Sequence, residues 1–317
     1  MESNRTPGGL LFYKMSMTSM PQPARTYDDQ VELLTSRGLQ INDEAEAKRA
    51  LSHLNYYRLQ LYAEPFFSDK NTKLFKEGTT FSQIHELYLF DQKLRNLVLA
   101  ASKLIEVSVR SRLAYVIGHK IGPTGYLDVS NYKRHAQAIE TLGSMIAEIK
   151  RSKDSFLTQY IADDTGINVL PIWIAVEAIS FGCASKIFGN LKDHQLQLEV
   201  ADTYDLSEKV LVPGLHHLNI ARNTAAHHGR FWNHSIQQRL RAPNQESDAF
   251  RLSLENVSAA PGCYNTLVLI CYLVGKIAPC AELIKEIKGH LQLLPYDLHA
   301  QAGIPNDWKN RPVWNNC

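Results

Sequence analysis

The chain has 317 residues, 44% hydrophobic and 21% charged, an ordinary globular composition that excludes a protein disordered throughout. Its formal net charge of +2 is too small to announce a nucleic-acid binder by itself, because phosphate binding depends on where cations cluster. Five cysteines, Cys183, Cys263, Cys271, Cys280 and Cys317, are odd in number and form no C-x-x-C pair; this argues against a secreted disulfide scaffold or a zinc ribbon and for a reducing, cytoplasmic setting.

Residues 1–26 read as a flexible leader. The stretch holds Met15, Met17, Met20 and a PQP run, and lacks the apolar core and cleavage site of a signal peptide. Periodicity begins near Tyr27. A first helical region is expected over 28–62, with Asn42 as a cap before DEAEAKRALSHL and Pro65 ending it; KNTKLFKEGTT is a turn-rich connector. The longest element is expected from Thr80 to Lys120. There Ile84, Leu87, Leu94, Val98, Ala101, Ile105 and Val109 mark one stripe, and an unbroken helix would run about 60 Å.

Further helices are expected over 133–151, 169–188, 192–202, 207–228 and 264–288, with GPTG, DDTG, GNLKD and SAAPG as stop signals. TLVLICYLVGKIA carries Lys276 and is too short to span a bilayer, so it reads as a buried helix and no membrane is expected. No sustained alternation calls for a sheet. The expected class is all-α, divided into a leader (1–26), an N-terminal helical region (27–78), a main helical domain (79–290) and a tail (291–317) packing on it.

The chemistry concentrates in NIARNTAAHHGRFWNH, residues 219–234, which lies in a stretch without Asp or Glu between Glu208 and Glu246. Leu211, Leu215 and Leu218 form an apolar stripe whose next member is Arg222. A guanidinium there must snorkel, pair with a carboxylate such as Glu106, or hold an anion. Asn223 and His227, four apart, would lie about 40° from each other on a helix; Arg222 and His227 would be about 140° apart. Both would then meet a single phosphate only if the helix distorts or a second copy of the helix completes the site. Arg, Asn and His are the types that suit RNA cleavage without a metal: His moves the proton of a 2′-OH or a leaving oxygen, Arg meets the developing charge, and an amide positions. The flank, with His228, Arg230, Phe231, Trp232, Asn233, Arg239 and Arg241, would grip the strand by charge and stacking.

Other candidates have blander readings. His216, His217, His227, His228 and His234 lack a converging Cys or carboxylate for a zinc set. The Tyr56, Tyr57, Arg58 and Tyr62 cluster could stack bases, but its aromatics, like Trp173 and Phe181, are expected to pack in the core. Glu106 and Arg110 form an i, i+4 pair. Ser180 and Cys183 show no base or orienting acid.

RNTAAHHGRFWN (222–233) resembles the RN-x3-H-H-x-R-x-W-N segment of the Abi-like family of abortive-infection proteins, the AbiD/AbiF group, which carries the R-x4-H signature of HEPN ribonucleases. HLNYYRLQLYAEPF (53–66), LIEVSVRSRLAY (104–115), LPIWIAVEAISFGCASKIF (170–188) and GIPNDW (303–308) match further blocks in order, so the resemblance covers about residues 27–310. It implies a HEPN-type helical bundle with an additional N-terminal helical region. It also implies a homodimer with a composite ribonuclease site, Arg222 and His227 as catalytic residues with Asn223 in support, and a role in phage defence. No cofactor is implied; a small noncoding RNA antitoxin is. Toxins of this kind that a nucleotidyltransferase silences carry Tyr two positions after the His, where this chain has Gly229. A non-catalytic RNA-binding or scaffold protein, or a structural dimerisation module, are the competing classes.

Overall fold

The computed structural model describes residues 23–158, 160, 170–244, 248–256, 262–279 and 282–315. Among these the fold is all-α, with a single two-stranded sheet. The chain divides into two compact units, residues 1–83 and 84–317. The DDTG signal, most of SAAPG, Cys280, Cys317 and nearly all of the leader lie outside the described residues.

In the first unit, α1 (Tyr27–Ser36), α2 (Glu44–His53) and α3 (Tyr56–Ala63) fill the expected helical region. Thr26 and Asp29 cap α1 reciprocally. The cap of α2 is Asp43, whose carboxylate accepts from the Glu46 N–H, and not the expected Asn42 one residue earlier. The tyrosine cluster divides: Tyr62 is fully buried, but Tyr57 is 69% exposed. In the connector, β1 (Phe67–Asp69) pairs antiparallel with β2 (Leu74–Phe75), and the rings of Phe67 and Phe75 lie 5.0 Å apart.

Helix α4 (Phe81–Ile121) is the expected long helix. Every residue of the predicted stripe is buried in it. It is followed by α5 (His135–Arg151), the short α6 (Ser155–Thr158), α7 (Ile172–Ala178), α8 (Phe181–Asn190), α9 (His194–Asp202) and α10 (Glu208–Ala226). Then come α11 (Ala249–Ser253), α12 (Tyr264–Ile277), α13 (Glu282–Leu291), α14 (His299–Ala302) and α15 (Pro312–Asn315).

Two expected helices are each broken in two. The 169–188 element breaks because Ser180 turns extended and caps α8, while Glu148 on α5 accepts from both the Ser180 N–H and its hydroxyl. The 264–288 element breaks at Ala278, which precedes Pro279; proline pushes the residue before it out of the helical region.

The core of the second unit is built on α10, which packs on α8, α9 and α12. Helix α12 is buried almost throughout, and among the described residues no helix is long and apolar enough to cross a membrane. Gly182 and Gly189 let α8 approach α10 closely: a Cβ on either would stand 3.2 Å from the Asn219 amide or from Val212. The 291–317 segment buries Trp308 and Trp314; the Trp314 indole donates to the Tyr264 hydroxyl at 3.1 Å. Trp173, expected in the core, is instead 51% exposed and lies over the face of α4 at Gly118.

Candidate functional site

Helix α10 carries the apolar stripe inward as expected. Leu211, Leu215 and Leu218 are at most 1% exposed, and Arg222, next in the series, is half-buried. The helix stops at Ala226, two residues before its expected end, because the chain closes a left-handed cap there. His227 is the C-cap, and His228 follows at φ 58. The His228 N–H then bonds the Ala225 carbonyl at 3.2 Å, and the Gly229 N–H bonds that of Thr224 at 2.8 Å. These two bonds satisfy carbonyls that a helix end otherwise leaves open. Glycine usually occupies the left-handed position, but here the glycine comes one residue later. Gly229 approaches Thr224 so closely that a Cβ would meet its Cγ2 at 3.0 Å and its carbonyl oxygen at 3.1 Å.

His227 sits at the C-cap with its N–H still in the helical bond to Asn223, so its direction from Arg222 stays close to the helical one, and it is His228 that leaves the helix. Asn223 connects Arg222 and His227. Its Oδ1 accepts from the Arg222 guanidinium at 3.0 Å, and its backbone carbonyl accepts from the His227 N–H at 2.9 Å. Arg222 has no ion pair among the described residues. The carboxylate considered for it, Glu106, pairs with Arg110, which also donates to the Ile179 carbonyl. His227 and His228 are exposed. One end of α10 thus presents a half-buried guanidinium, an amide and two imidazoles to solvent.

Beyond the cap the flank divides. Phe231 and Trp232 are 1% and 0% exposed, so neither ring offers a face to a base. The stacking expected of them is corrected by burial: they are core side chains that anchor the turn. Arg230 and Asn233 are half-buried, and Asn233 Oδ1 is buried without a hydrogen-bond partner among the described residues. From there the chain folds back along α10, so that the Gln238 carbonyl reaches His217 at 2.6 Å and Arg241 comes to lie near His216. Arg239 is exposed. Arg241 lines a cleft with Lys209 and His216 to which Arg222 does not contribute.

His217 is a buried structural residue. Its Nδ1–H donates to the Gln238 carbonyl, and its Nε2 accepts from the Thr266 hydroxyl at 2.8 Å, partners that the neutral ring satisfies on both sides. Burial holds its pKa below the usual imidazole range. Cys183 and Cys263 are buried free thiols, and burial pushes Cys183 up to about 12, which leaves it inert.

Sequence reasoning missed Asp91. This carboxylate on α4 is fully buried, pairs with the buried Arg95, and accepts from the backbone N–H groups of Phe231 (3.1 Å) and Trp232 (2.7 Å). It fixes the turn that follows the cap. A signal was present: the α4 stripe passes from Leu87 to Leu94, and the position between them in that series is Asp91. A charge placed where an apolar residue belongs marks a buried partner.

The family model described as Abi-like protein matches residues 49–233, more than half of the chain and including the whole segment around Arg222 and His227. No curated protein and no solved structure gives a match.

Proposed function

The chain belongs to the Abi-like protein family, and on that premise we propose that it is an abortive-infection endoribonuclease of the HEPN type whose reaction takes place at the end of α10. Our reading rests above all on Asn223, which ties the Arg222 guanidinium to the residue that presents His227. Imidazole is the side chain able to take or give a proton near neutral pH. Here it is exposed, on the same end of α10 as an Arg222 guanidinium that no carboxylate among the described residues pairs with.

The 2′-hydroxyl of the substrate loses its proton as its oxygen attacks the adjacent phosphorus. The bond to the 5′-oxygen then breaks, and that oxygen gains a proton. A 2′,3′-cyclic phosphate and a 5′-hydroxyl result. His227 serves as acid or base, Arg222 meets the charge on the non-bridging oxygens, and Asn223 positions both. One imidazole in the right protonation state can serve only one of the two transfers at a time. A second copy of the chain, bringing its own end of α10, would supply the other, so we propose a homodimer. A small noncoding RNA is proposed as the restraining partner.

The test is incubation of labelled RNA with wild type, Arg222→Ala and His227→Ala in EDTA, with fragment ends read by mass spectrometry. Cyclic-phosphate ends are expected from wild type, with rates at least about 10²-fold lower for either variant. Binding without any product from wild type would favour a non-catalytic RNA-binding protein instead.

A further inference from the structure

A second feature of α10 lies outside the R-x4-H segment. An open cleft of about 650 Å³ is bounded by α5, α8, α10 and the returning 238–241 stretch. Five cations line it, Lys133, Arg134, Lys186, Lys209 and Arg241, against one carboxylate, Glu208. Five positive charges less one negative leave +4 at this single place, whereas the whole chain carries +2. All five are exposed. Lys133 donates to the neutral Gln197 amide at 2.9 Å, and the other four have no ion pair among the described residues. Glu208 is 7% exposed, so it lies beneath the cationic rim.

The cleft runs along the α10 face that leads to the proposed site. Lys209, His216 and Asn223 are spaced by seven residues, about 20° apart per step, so one line on the helix joins them over about 21 Å. Lys209 and His216 line the cleft, as does Asn219, one turn before Asn223. Among the described residues no Phe, Tyr or Trp lines it, so it offers no platform for bases. Charge without stacking reads the phosphate backbone and not the sequence.

We propose that this cleft holds the sugar-phosphate backbone of the RNA strand on one side of the bond presented to the end of α10. The proposal rests on the ribonuclease reading given above. In this arrangement the cleft supplies affinity independent of base identity, and Arg222, Asn223 and His227 supply the chemistry.

The test separates the two. A fluorescein-labelled oligouridylate of about 12 nucleotides is titrated by anisotropy into His227→Ala protein, with and without Lys186→Glu and Lys209→Glu, over a range of salt. The reversals are expected to weaken binding by about tenfold or more, and to flatten the slope of log K against log salt by about 0.7 for each phosphate no longer neutralised. An oligoadenylate should lose affinity by the same factor. Lys186→Gln with Lys209→Gln, checked by circular dichroism, covers the case in which the reversals do not fold. Unchanged affinity and slope would overturn the cleft while leaving the ribonuclease reading intact. Loss of binding in a protein whose wild type makes no cyclic-phosphate ends would sink the ribonuclease reading and leave the cleft. Saturation by inorganic tripolyphosphate that RNA does not compete away would overturn it in favour of a small polyanion.

Discussion

His228 holds a left-handed backbone that a side chain with a Cβ enters only at a cost, on the order of 1 kcal/mol. His228→Gly should therefore raise stability by about 1 kcal/mol in urea unfolding. If cleavage falls at the same time, the strained histidine serves the site; if cleavage is unchanged, its imidazole is dispensable there. As a sequence, RNTAAHHG suggests a helix running to the glycine. It does not show that the glycine answers to its contact with Thr224, which moves the cap one residue earlier. The chemical types at the site were legible, because Arg222 interrupts an apolar stripe. Their geometry was not, because it depends on where the helix stops.

Helix α10 is held by its neighbours at points that periodicity does not reveal. His217 joins it both to the returning segment and to α12, with a ring that is neutral in the folded state. Its folded pKa lies below the ordinary value of about 6.5, so the unfolded chain takes up the proton first. The stability is full above that ordinary value and is lost as pH falls through it toward the folded pKa. His290, half-buried, is lowered by burial in the same direction. Stability should thus drop between about pH 7 and 5, by at most about 1.4 kcal/mol per pH unit for the buried His217 and the half-buried His290, and the melting temperature should fall with it. In His217→Gln the drop should be shallower, from a lower starting stability. Among the elements, those with long apolar stripes were legible from sequence. The break at Ser180 was not, because it depends on a carboxylate 32 residues away on α5, whereas the break at Ala278 was written in the Pro279 that follows it.

For the second unit as a whole, the deciding contact joins residues 140 and 141 positions apart, Asp91 with Phe231 and Trp232. Asp91→Asn removes the charge facing the buried Arg95 and weakens the acceptor for two backbone donors. It should cost about 3 kcal/mol in urea unfolding and lower cleavage by loosening the turn after α10. Full activity with reduced stability would show that the turn does not position the site. The cationic cleft was hidden from sequence for a related reason: its charges come from positions 133, 134, 186, 209 and 241, and a net charge of +2 gives no hint of them. The separation between Asp91 and Phe231 also sets an order in time. While a chain is still being made, α4 emerges long before the segment whose amides its carboxylate receives, and the turn cannot close until residue 232 has left the ribosome. A nascent chain would then carry the Arg and both histidines before the turn that follows them is tied to α4, so the segment after α10 takes its final place only late in synthesis.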